Sequence, residues 1–75
     1  MGRIRWTADR LDQLERAARN GLRVVLSRRG TEYVVIAVRV KTEGRHEALI
    51  GRLPMTGEEM TFVLEDIDEF QIVGT

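Results

Sequence analysis

A chain of 75 residues with 43% apolar and 32% charged side chains has the make-up of one ordinary globular domain, and at this length folding buries only about 60% of the unfolded surface, too little to enclose a deep cleft. The lack of cysteine excludes disulfides, thiol nucleophiles and thiolate metal sites, while no apolar run nears the ~18 residues of a membrane span and no signal-peptide pattern is seen, so a cytoplasmic location without membrane contact is expected. Net charge is zero but lopsided: residues 1–52 hold all 12 basic and 6 acidic side chains, and residues 53–75 hold 6 acidic and no basic ones, which predicts either a basic face for an anionic partner or mutual attraction of the two segments.

The first predicted element is a helix over residues 7–20. Thr7 can accept a hydrogen bond from a first-turn amide, Asp9 suits the positive helix end, and Trp6 can pack on Leu11 as a hydrophobic staple. Asn20-Gly21 closes it. Leu11, Leu14 and Ala18 form a narrow apolar stripe, with Asp12/Arg16 and Glu15/Arg19 as i,i+4 pairs on more exposed faces.

After Gly21 the apolar period changes from 3.6 to 2 and predicts a hairpin over residues 22–41, turning at Arg28-Arg29-Gly30-Thr31. Its second strand places Val34, Ile36, Val38 and Val40 on one face and Tyr33, Val35 and Ala37 on the other. Apolar character on both faces predicts a long bent strand shared by two halves of a barrel. Strand three is expected over residues 46–53, with Gly51 at a bend or a close backbone approach, and ends at Pro54. Strand four follows over 59–65, a single helical turn over 66–69, and strand five over 70–73.

Helix, four-strand meander, short helical turn and fifth strand make a single domain, mainly β with one N-terminal helix (7–20), whose strands (22–73) follow the plan of an Sm-like five-stranded small barrel. Closure would remove the exposed edges that valine-rich strands otherwise present. From Leu22 to Val73 the chain resembles a WYL domain, the Sm-like module appended to many bacterial transcription regulators. Glu47-Ala48-Leu49 stands at the Trp-Tyr-Leu signature and keeps only the leucine. The segment Met60-Thr61-Phe62-Val63-Leu64-Glu65-Asp66-Ile67 matches the Arg-x-Phe-x-Leu-x-Arg-Ile pattern at Phe62, Leu64 and Ile67, with Met60 and Asp66 at the arginine positions. The retained positions are apolar, so the resemblance implies a fold and a regulatory setting but carries no ligand residue.

The chemistry-bearing residues are mostly arginines. Arg23, Arg28, Arg29, Lys41, Arg45 and Arg52, with Arg39 and His46, come from the first three strands and their turns, and 11 of the 12 basic residues are arginine. The planar guanidinium donates two hydrogen bonds to a phosphate at once, so a nucleic-acid face is expected on Arg23, Arg28, Arg29, Lys41, Arg45 and Arg52, led by Arg28 and Arg29 at the hairpin tip. Base-stacking partners are few, since Trp6, Tyr33, Phe62 and Phe70 are the only aromatics and Phe62 and Phe70 sit in core alternation. His46 alone makes no metal site. Glu65, Asp66, Asp68 and Glu69 lack calcium-loop spacing and are expected as a solvated turn or a mate for the basic hairpin. Ser27 is the only serine, and no nucleophile motif or phosphate-binding glycine loop occurs. No enzyme, cofactor or metal is expected. Two functions remain: a regulatory, nucleic-acid-associated barrel, or a protein-interaction or homo-oligomerisation module, separable by the steep salt response of phosphate binding.

Overall fold

The structure, a computed structural model, describes residues 5–74. Its elements are α1 (Ala8–Asn20), β1 (Arg23–Arg28), β2 (Thr31–Glu43), β3 (His46–Arg52), β4 (Glu59–Val63), a 3-10 turn (Leu64–Asp66) and β5 (Ile67–Gly74). The architecture is the expected one, mainly β with one N-terminal helix and a single five-stranded antiparallel sheet. The strands lie in the order β4-β3-β2-β1-β5.

Helix α1 starts and stops where its capping chemistry dictates. Thr7 Oγ1 accepts from the Arg10 amide at 3.2 Å, and Gly21, at φ +63°, closes a Schellman motif in which Leu22 N donates to the Ala17 carbonyl at 2.9 Å. The buried stripe is Leu14 and Ala17, with Leu11 and Ala18 half-buried beside them. Ala17 thus takes the central place expected of Ala18, three residues from Leu14 on the same helix face.

Strand β2 bends as its doubly apolar pattern predicts, and a bulge makes the bend. Ala37 pairs with Gly51 and Arg39 with Ile50, leaving Val38 without a partner on β3. Beyond the bulge the alternation reverses. Val40 therefore packs on the core together with Val35 and Ala37, rather than with Val34 and Ile36 as the unbroken alternation predicts.

Gly51 sits opposite Ala37 and Met60, where an added Cβ would come within 2.7 Å of Val35 Cγ2. It is a place of close approach. The core gathers Leu14 and Ala17 from α1 with Val24, Leu26, Val35, Ala37, Leu49, Phe62, Leu64 and Ile67 from the strands and the 3-10 turn.

The 3-10 turn comes two residues earlier than the pattern predicts, because Leu64 is buried as its anchor while Ile67 already pairs with Arg28 as the first residue of β5. The expected closure of the barrel is the larger correction. Among the described residues no ladder joins β4 to β5, and the curled sheet keeps both as edges. Side chains bridge the gap instead. Trp6 stacks on Phe70 with ring centroids 5.3 Å apart and donates from Nε1 to the Leu64 carbonyl at 2.9 Å, and Arg28 reaches across to β4. Aromatic and guanidinium groups thus stand where backbone pairing would have sealed the cylinder.

Candidate functional site

The arginines singled out by sequence separate into three environments. Arg28, at the end of β1, is half-buried and turned across the gap, its guanidinium 5.2 Å from the Tyr33 ring centre and 5.0 Å from that of Phe62. Its Nη1 donates to the Thr61 carbonyl of β4 at 3.4 Å and its Nη2 to the Tyr33 hydroxyl at 3.3 Å. Such contacts hold a cation by both its flat face and its edge.

Arg29 and Gly30 form a two-residue hairpin turn with φ of +53° and +82°, the twist that antiparallel strands favour and that a non-glycine residue adopts at a cost of about 1–2 kcal/mol. The acidic segment holds this tip in place. Arg29 lies 3.5 Å from the Asp66 carboxylate, and the Gly30 amide donates to Asp68 Oδ2 at 3.4 Å. Farther along, His46 Nδ1 is 3.5 Å from Glu65 Oε1. The acidic C-terminal segment thus meets the hairpin tip through one ion pair and one amide contact, which agrees with the second of the two expectations at this one place.

Arg23 and Arg52 are placed differently. In the ladder Arg23 pairs with Ile36 and Ile36 with Arg52, so the three make one row across β1, β2 and β3. Ala37 and Val24 point into the core, and their neighbours Ile36 and Arg23 therefore lie on the opposite, outer face. Both arginines are exposed and have no ion pair among the described residues. Lys41 lies farther along this face, 3.7 Å from Glu43. Arg45, in the β2–β3 turn, borders a recess of about 350 Å³ that Trp6, His46 and Glu65 also line. The six residues thus form no continuous basic surface: Arg28 and Arg29 serve the hairpin tip, Arg23, Lys41 and Arg52 stand on the outer face, and Arg45 stands at the turn.

Sequence reasoning missed the apolar part of that outer face. Val25 pairs with Val34, both point away from the core, and Val34 is 45% exposed, with Val73 of the edge strand at 59%. On the other half of the same face Ala48 and Ile50 are buried, with Lys41 and Val63 as ladder neighbours of the first and Arg39 and Thr61 of the second. Val34 is not buried in this way, and Val25 beside it is half-buried. The signal was present in the sequence as the second apolar face of β2, which a closed-barrel reading assigns to the interior.

Among the described residues no three His, Asp or Glu side chains gather as a metal site, and none of the helices is long and apolar enough to cross a membrane. Comparison with family models, curated proteins and solved structures found no match.

Proposed function

We propose that this domain is a non-enzymatic interaction module that works by protein contact across the outer face of its sheet. One observation carries the reading: the Val25–Val34 pair is apolar and contiguous across two paired strands on the outer face, with Val34 exposed and Val25 half-buried beside it, and such a pair with a charged rim has the anatomy of an interface. The hairpin arginines that would lead a phosphate contact are engaged by Tyr33, Phe62, Thr61 and Asp66, which lowers their value as phosphate donors.

The nucleic-acid reading stays as the second, favoured by one observation, the exposed and unpaired state of Arg23 and Arg52 among the described residues. The regulatory setting implied by the WYL resemblance is compatible with either. A photocrosslinking amino acid at Val34, activated in the native host, separates them. A protein adduct removed by protease is expected. An adduct removed by nuclease, or binding that weakens steeply from low to moderate salt, would replace this reading with the second.

A further inference from the structure

The outer face of β1, β2 and β5 is ordered in rows whose chemistry changes along the strands. At one end stand Arg23 and Ile36, continued by Arg52 of β3 and then by Glu59 of β4. The middle row is Gln71, Val25 and Val34, and the far row is Glu69, Ser27 and Glu32. Phe70 and Ile72 pack on the core, which puts Glu69 and Gln71 on the outer face by alternation. Adjacent rows are about 7 Å apart, two residues of strand. The face therefore runs from cationic through apolar to acidic, and Arg23, Arg52, Glu32 and Glu69 have no ion pair among the described residues.

We propose that this face is self-complementary and that its occupant is a second copy of the chain. The proposal rests on the protein-contact reading and names the partner. A two-fold axis lying along the Val25–Val34 row turns the cationic row of one copy over the acidic row of the other. Val25 and Val34 then meet their own counterparts, while Arg23 comes over Ser27 of the second copy, with Glu32 and Glu69 of that copy one strand spacing of about 4.8 Å to either side, and Arg52 comes beside Glu32. Such an isologous contact needs cation and acid on opposite sides of the axis, and the ladder supplies that arrangement. A surface of one sign would repel its copy. Zero formal net charge, with 12 basic and 12 acidic residues, removes long-range repulsion between copies.

The two sheets would pack about 10 Å apart with strands roughly aligned. Three rows over four strands span a footprint of about 20 by 20 Å, about 800 Å² over both copies and below the ~1,000 Å² of a stable specific interface, so association is weak and concentration-dependent rather than permanent. Helix α1 does not obstruct it, since Leu14 and Ala17 of the helix face the core.

Sedimentation equilibrium over a wide concentration range tests the proposal, with thermal melts checking that each variant folds. The wild-type mass should rise from monomer toward dimer. Val34→Glu, at a half-exposed position outside the core, should remain monomeric. Arg23→Glu and Glu32→Arg should each weaken association by about tenfold or more. An equimolar mixture of these two variants should associate again, and so should the chain carrying both changes, because each restores opposite charges across the axis. Within one chain the two residues lie about 13 Å apart along the strands, too far for the rescue to be intramolecular. A wild type that stays monomeric, single variants that associate as well as wild type, or a mixture that fails to recover would each overturn the second-copy assignment. The Val34 crosslink distinguishes the two levels: an adduct of twice the chain mass supports the dimer, an adduct with a different protein overturns the dimer but leaves protein contact standing, and no protein adduct overturns both.

Discussion

Arg23 and Arg28 bound the same six-residue strand, yet one side chain turns out to solvent and the other into the gap between the sheet's free edges. Arg28 has its guanidinium against two aromatic rings and a main-chain carbonyl, and replaces part of the backbone pairing that would have closed a barrel. Arg23 lies on the outer face beside Ile36 and has no ion pair among the described residues. The contrast teaches that an arginine's availability to a partner is set by what the fold brings beside it. Residue type and strand are the same in the two cases.

The largest expected effect tests the frame that holds both ends in place. Gly51→Val forces a side chain into space that Val35 already occupies and should lower stability by about 1–3 kcal/mol, measured by urea denaturation; unchanged stability would mean that β2 and β3 are not packed this closely. Next comes the inward arginine. Arg28→Ala removes the stem packing, the ring contacts and the donor to Thr61, and should cost about 1–2 kcal/mol, with hydrogen exchange accelerating in β4. A smaller effect is expected at the hairpin tip, where Asp66→Asn removes the charge facing Arg29. That pair is solvent-exposed on the arginine side, at 77%, so the loss should be no more than about 1 kcal/mol and should shrink in high salt. The smallest belongs to the outward arginine: Arg23→Ala should change monomer stability by less than about 0.5 kcal/mol while weakening self-association. A large destabilisation by Arg23→Ala, or none by Arg28→Ala, would erase the distinction between the two.

Much of this fold was legible residue by residue. Thr7 and Gly21 marked the helix ends because capping is a local property of a few adjacent residues. The change to a period of two after Gly21, together with the turns at Arg29-Gly30 and Gly44, located the first three strands because alternation and positive φ are also local. The bulge at Val38 was not legible. The doubly apolar pattern of β2 predicted a bend, but the residue that absorbs it is set by the register with β3, where Ala37 faces Gly51 and Arg39 faces Ile50. The candidate surface followed the same division, since Arg23 and Arg52 could be named as basic strand residues but their meeting across Ile36 depends on the register of three strands.

Local chemistry in the chain determined one helix, five strands, the tight turns, the lack of thiol chemistry and the opposite charges of its two segments. Tertiary structure decided which of those charges neutralise one another, that the sheet curls without sealing, and that Val25 and Val34 are left outside. Capping and alternation act over a few residues and can be read along a line. Closure, charge pairing and exposure depend on which distant residues arrive at the same place, as Arg28 does with Thr61, Trp6 with Phe70 and Leu64, and Asp66 with Arg29.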